Sequence, residues 1–255
     1  MTHKQYIYDV PNGKNVVLFI HGIIGTPNHF KSFVDGLPDD YAVYNLLLDG
    51  HGKTARDFGR SSMEKWKEQV NSIVEDLAKR YKNIIIVAHS MGSLFAIDCG
   101  IKFPEKVKLL FLLNVPLKAT LKFSTAVNSL KLVFGLQKYN DIVMQNQKNA
   151  CSIQLTKKLW LYIGWIPRYM ELFREIKATR GKIKKIKNPC YAFQSKNDEL
   201  VSEKAVKYLK VNEDIKIKVL ENSGHFAYSN EDNRYMLEQF QSLIMRYAEK
   251  ENISK

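Results

Sequence analysis

The sequence has few cysteines, no long apolar run and no excess of acidic groups, and each shortage removes a class of function. Cys99, Cys151 and Cys190 are odd in number, widely spaced and without a C-x-x-C pair, which argues against a disulfide framework or a zinc site. No uninterrupted apolar stretch approaches the roughly 18 residues needed to span a bilayer, so no stable membrane insertion is expected. The opening Met1-Thr2-His3-Lys4-Gln5-Tyr6 leads straight into a strand-like segment with no apolar signal region, and the expected location is cytoplasmic. The net charge is +13, but lysines occur along the entire chain and no nucleic-acid-binding motif accompanies them. The reading is a solvated basic surface, with no nucleic-acid partner and only weak contact with anionic lipid, or attraction of acidic substrates, as a further role.

What is present is ordinary for a globular protein. The 255 residues are 45% hydrophobic and 25% charged, enough to bury one substantial core. Short apolar runs at Val16–Ile20, Val43–Leu47, Ile84–Ala88, Leu109–Asn114, Tyr191–Gln194 and Ile215–Leu220 alternate with helical patterns. That alternation predicts an α/β fold, a mostly parallel sheet with helices on both faces. Helices are expected over Ser61–Tyr81, from Ser90 to about Lys102, and after Ser229-Asn230-Glu231-Asp232, where Leu237, Phe240, Leu243, Ile244 and Tyr247 share a face. Residues 1–115 and 188–255 read as the core. Between them, residues 116–187 carry helical patterns without a strand, and read as a helical cap inserted over the sheet edge where open α/β folds bind ligands. Leu159 to Ile163 and Trp165 to Met170 make this segment rich in large apolar groups, most of them expected to fill the cap's own core and some to line a pocket.

The chemistry concentrates at Ile84-Ile85-Ile86-Val87-Ala88-His89-Ser90-Met91-Gly92-Ser93. A strand runs into a serine held between small residues, and a helix follows at once. A serine on such a corner is lifted from the sheet as a nucleophile, with the helix N-terminal amides aimed at the reacting atoms. Serine needs a base, and the base an orienting acid. Asp198 lies just beyond the Tyr191–Gln194 strand, with Glu199 beside it as a competing acid, and His225 lies beyond the Ile215–Leu220 strand. Ser90, Asp198 and His225 therefore share one sheet edge, His225 as the base and Asp198 as its preferred partner. The oxyanion donors are expected to be the backbone N–H groups of Met91 and of Ile23, on the loop His21-Gly22-Ile23-Ile24-Gly25-Thr26-Pro27. His21, His51 and His89 read as bracing or packing residues.

Taken together, His21-Gly22-Ile23-x-Gly25-Thr26-Pro27, Asp49-Gly50-His51-Gly52, Ala88-His89-Ser90-Met91-Gly92, Asp198 and Ser223-Gly224-His225-Phe226 resemble the α/β-hydrolase superfamily. Within it they are most similar to bacterial carboxylesterases and monoacylglycerol-lipase-like serine hydrolases. Ala88 stands where the commonest motif has glycine, as in the A-x-S-x-G version of some bacterial lipases. The resemblance implies an acyl-enzyme on Ser90, with no metal and no organic cofactor. The expected substrate is a small ester with an apolar acyl group, of short or medium chain or a monoacylglycerol, acted on by a monomer or homodimer. Thioester, amide or proline-type peptide substrates are the rival on the same triad, and a non-catalytic receptor of the same fold is the reading from another class.

Overall fold

The computed structural model describes residues 3–120, 131, 133, 134 and 142–252, with side chains left undescribed at 142–144 and 247–252. Among the described residues seven strands form one sheet: β1 (Tyr6–Tyr8), β2 (Asn15–Ile20), β3 (Tyr41–Asn45), β4 (Asn83–His89), β5 (Val107–Leu113), β6 (Cys190–Ser195) and β7 (Ile215–Leu220). Their order is β1-β3-β2-β4-β5-β6-β7, with β1 antiparallel to β3 and every other pairing parallel. The parallel set puts the C-terminal ends of β2, β4, β5, β6 and β7 on one edge, next to Ser90, Asp198 and His225.

The helices among the described residues are α1 (Lys31–Asp35), α2 (Ala55–Gly59), α3 (Met63–Arg80), α4 (Met91–Lys102), α5 (Ile142–Ala150), α6 (Trp165–Arg180), α7 (Val206–Leu209) and α8 (Asn230–Asn252). Alternation along the central strands divides the core in two. Leu18, Ile20, Ile84 and Ile86 face Trp66, Val70 and Val74 of α3 and Leu94 and Phe95 of α4. Val17, Phe19, Ile85 and Val87 face Phe33 of α1 and Met236, Phe240 and Ile244 of α8. Full burial of each such side chain contributes on the order of 1.5–3 kcal/mol. Helix α3 begins where Ser62 Oγ accepts the Lys65 N–H at 3.1 Å. Tyr247, expected on the inner face of α8, lies outside the described side chains.

Two expectations need correction. The apolar run Val43–Leu47 is paired only to Asn45, as strand Tyr41–Asn45, because the chain turns off the sheet there; Leu46 and Leu48 remain fully buried without being strand. In the expected cap, Leu159–Gly164 is a 3-10 turn, and its large apolar groups largely fill neither a cap core nor a pocket. Leu159, Trp160, Ile163, Ile166 and Met170 are exposed, whereas Trp165 is buried against α2, its Nε1 donating to Ala55 O at 2.8 Å. Residues 121–130, 132 and 135–141 of that segment lie outside the described residues.

Candidate active site

Strand β4 is a run of isoleucine and valine that ends at Ala88-His89, and α4 starts at Met91, so Ser90 must turn the chain in a single residue. It does so at φ +51°, ψ −124°, a conformation that a non-glycine residue adopts only under constraint. The constraints are visible. Ser90 N–H donates to Leu113 O at 2.8 Å, Ser93 N–H to Ser90 O at 2.9 Å, and Ser93 Oγ to Ala88 O at 3.1 Å. Gly92 lies so close to β2 that a Cβ there would stand 2.2 Å from Ile20 O. Ala88 is fully buried beneath the turn, and its methyl is part of the core.

The loop after β2 reaches Ser90 because Gly22 has no side chain: a Cβ on it would meet Ser90 Cβ at 2.9 Å. His21 sets the direction of that loop. Its Nε2 accepts the Leu48 N–H at 3.1 Å, so Nδ1 carries the proton and donates to Gly22 O at 2.8 Å. Gly25 N–H reaches the same carbonyl at 2.9 Å. A trans peptide is planar with N–H opposite C=O, so fixing the Gly22 carbonyl on that side turns the Ile23 N–H the other way. Burial keeps His21 neutral, its pKa pushed down to about 4. The loop is fastened further by Ser152 N–H on Ile24 O at 2.9 Å. Met91 is the first residue of α4, where a helix leaves its amide without an intrahelical acceptor.

Asp198 and His225 meet on the same edge. Asp198 Oδ2 lies 2.8 Å from His225 Nδ1, and both side chains are buried. Asp198 Oδ1 accepts the N–H groups of Leu200 and Val201, each at 2.7 Å, so the carboxylate is held from both sides. An ionised carboxylate can only accept, which puts the His225 proton on Nδ1 and leaves Nε2 with its lone pair. Glu199, the competing acid, does not take this place: its Oε2 accepts the His225 backbone N–H at 2.6 Å. His89, which leads directly into Ser90, packs against the His225 ring at 4.8 Å between centroids, the two planes tilted by 52°. Gly22, Ile23, His29, His89, His225 and Phe226 border one small cavity here.

Several residues of this edge make contacts to which the sequence reading assigned no role. His29 stacks on His89 at 4.1 Å, and Tyr228 Oη lies 3.4 Å from its Nε2. Asn114, at φ +51° just past β5, accepts the Ser195 N–H at 2.8 Å and donates to Gly224 O at 3.4 Å, tying three strand ends together. Ser223 Oγ donates to Asp232 Oδ2 at 2.6 Å and anchors the His225 loop to the start of α8. An asparagine at a strand end carries no signal in sequence that separates it from an ordinary turn former, and Ser223 enters the sequence reading only as part of Ser223-Gly224-His225-Phe226, without a role of its own. His51 does brace the site, as read: it packs against His21 at 4.6 Å and against Trp66 at 5.4 Å. Among the described residues no group of three or more His, Cys, Asp or Glu is arranged to hold a metal ion.

Comparison with known proteins agrees with this architecture. A family model described as serine aminopeptidase, S33, matches residues 11–232. A thermostable monoacylglycerol lipase of Bacillus sp. (strain H-257) is 24% identical over 191 residues, 74% of this chain and 73% of that protein. The dihydrolipoyllysine-residue acetyltransferase component of an acetoin cleaving system from Cupriavidus necator is 30% identical over 46% of this chain, a match that spans only 29% of that longer protein. Among solved structures, a metagenome-derived lipolytic enzyme superposes with a TM-score of 0.72 at 18% identity, over 96% of this chain and 98% of the other.

Proposed function

Because the chain belongs to the serine aminopeptidase, S33, family of α/β-hydrolases, we propose that it is a serine hydrolase cleaving carboxylic esters with an apolar acyl group. The observation that carries this reading is the turn at Ser90, φ +51°, on the edge where Asp198 holds His225 Nδ1 at 2.8 Å. In the proposed reaction His225 Nε2 takes the Ser90 hydroxyl proton as Oγ attacks the ester carbonyl. The N–H groups of Ile23 and Met91 receive the oxyanion. Collapse of the tetrahedral intermediate expels the alcohol, which leaves with the proton from His225, and an acyl ester remains on Ser90. Water, deprotonated by the same imidazole, then attacks that ester, and as the carboxylic acid leaves His225 returns the proton to Ser90 Oγ. Asp198 fixes the tautomer and stabilises the imidazolium that forms in each half.

Short- or medium-chain esters and monoacylglycerols are the proposed substrates, supported by the lipase of Bacillus sp. that the chain resembles. Residues 116–187 are proposed as a cap, supported by Ala150 at the cavity and by Ser152 on Ile24 O. The reading includes a monomer or homodimer in the cytoplasm, a location that fits three free cysteines; among the described residues no helix is long and apolar enough to cross a membrane. The test is a panel of p-nitrophenyl esters, monoacylglycerols, acyl thioesters and aminoacyl amides, run with wild type and Ser90→Ala. The proposal requires esters to be preferred and Ser90→Ala to be inactive; a preference for aminoacyl amides overturns the substrate assignment.

A further inference from the structure

Helix α6 has two faces of opposite character. Trp165, Leu172 and Ile176 are buried against the core. On the other side Ile166, Met170 and Phe173 recur at four- and three-residue spacing and are 58%, 50% and 54% exposed. The 3-10 turn that runs into the helix adds Leu159, Trp160 and Ile163, at 47%, 62% and 65%. Single exposed apolar side chains are ordinary, but six within residues 159–173 make a patch of the kind that is normally covered.

The segment that bears this patch is strongly basic. Residues 151–187 hold ten lysines and arginines against two acidic residues, so this segment carries eight of the chain's thirteen net positive charges. Both acidic residues turn toward α3. Glu171 accepts the Met63 N–H at 2.9 Å and pairs with Arg168 at 2.6 Å, and Glu175 pairs with Lys67 at 3.0 Å. Lys157 and Lys158, just before the apolar turn, and Lys177, one helical turn beyond Phe173, are exposed. A second copy of this chain would bring two such basic segments together, and lysine is sparse at protein–protein interfaces. An apolar stripe with tryptophan, rimmed by lysine, matches the boundary between headgroups and acyl chains of an anionic bilayer.

We propose that the Leu159–Gly164 turn and the outer face of α6 form a lipid-surface docking face, with Trp160, Ile163, Met170 and Phe173 resting among acyl chains and Lys157, Lys158 and Lys177 on anionic headgroups. The contact is peripheral, and it is independent of the chemistry proposed for Ser90. Its test is co-sedimentation of the full chain with vesicles of phosphatidylcholine and phosphatidylglycerol, against vesicles of phosphatidylcholine alone. Trp160 supplies a second readout, because the other two tryptophans, Trp66 and Trp165, are 0% and 8% exposed. The expected result is binding to the anionic vesicles at about 0.05 M salt with a blue shift of tryptophan emission, and loss of binding at about 1 M. The variant Lys157→Gln/Lys158→Gln/Lys177→Gln binds about a hundredfold more weakly, at roughly fivefold per lysine. Ile163→Ser/Met170→Gln/Phe173→Ser folds normally, since each side chain is exposed, and binds at least about tenfold more weakly. Ser90→Ala binds as wild type, so failure here is distinct from failure of the hydrolase reading. No binding to anionic vesicles at low salt, or binding without a Trp160 shift and indifferent to the apolar variant, overturns the proposal. So does a lipid-free dimer that the apolar variant dissolves.

Discussion

The substitution Gly92→Ala puts the greatest demand on the geometry of the Ser90 turn. The added methyl would stand 2.2 Å from Ile20 O and 2.8 Å from His21 O, both inside an ordinary contact of about 3.5 Å and the first by more than about 1 Å. Both obstacles are backbone atoms at the end of a central strand, so no flexible side chain can give way. Relief requires the first turn of α4 to move off β2. Overpacking of this kind costs about 3 kcal/mol or more, which lowers Tm by roughly 6–12 °C for a domain of this size. The same movement displaces the Met91 N–H from the ester oxygen, and loss of one such donor lowers kcat by about 10²–10³. Urea and thermal unfolding read the first effect and p-nitrophenyl butyrate turnover the second. Gly181→Ala is the control: its Cβ meets only Ala178 O, at 3.5 Å, and its φ is −73°. There the change is neutral or stabilising by about 0.4–1 kcal/mol through the unfolded chain. If Gly92→Ala melts within about 2 °C of wild type and keeps more than about a tenth of its activity, the close approach of α4 to β2 does not set the site.

Asp198→Asn, which disturbs the His225 tautomer, is expected to lower kcat by about 10⁴, whereas Glu199→Gln, whose contact is with the His225 backbone, lowers it by less than about tenfold; steady-state kinetics of the two variants distinguish the acids. His21→Ala frees the Gly22 carbonyl and leaves the Leu48 N–H without its acceptor, so kcat falls further than KM rises, and urea unfolding shows a loss of about 2 kcal/mol or more. Acid sensitivity follows from the buried imidazoles. Burial pushes His21 from 6.5 down to about 4, and it pushes His51 and His89 well below their usual value. The unfolded chain therefore takes up these protons first, and stability, complete above pH 6.5, falls with pH toward 4. At pH 5 the His21 contribution alone is about 2 kcal/mol, a loss that chemical denaturation at pH 7 and pH 5 resolves; equal stability at the two pH values contradicts the neutral, buried assignment.

The parts legible in sequence were those governed by local pattern. Runs such as Ile84 to Val87 mark strands through composition and length, and the polar turns after β6 and β7 locate Asp198 and His225 because parallel topology sends every such turn to one edge. The distinction between Asp198 and Glu199 was legible only as a preference. The structure supplies its physical basis: Asp198 reaches the ring, and the adjacent side chain reaches the backbone amide. What sequence did not disclose depends on contacts between distant segments. Gly92 is bound to be small by Ile20, Asn114 gains its role from Ser195 and Gly224, and His29 matters through the His89 ring. The exposed apolar residues of 159–163 and 165–170 depart from expectation for a related reason: hydrophobicity states a preference for cover, and only the fold shows which side chains obtain it.

The central claim is that Ser90 is the nucleophile, and covalent capture addresses it directly. Wild type is incubated with a fluorophosphonate, digested, and its peptides are analysed by mass spectrometry. The account predicts one adduct, on Ser90, formed by wild type and absent from Ser90→Ala, with labelling slowed in Asp198→Asn. A folded wild type that remains unlabelled, or an adduct on any residue other than Ser90, contradicts it.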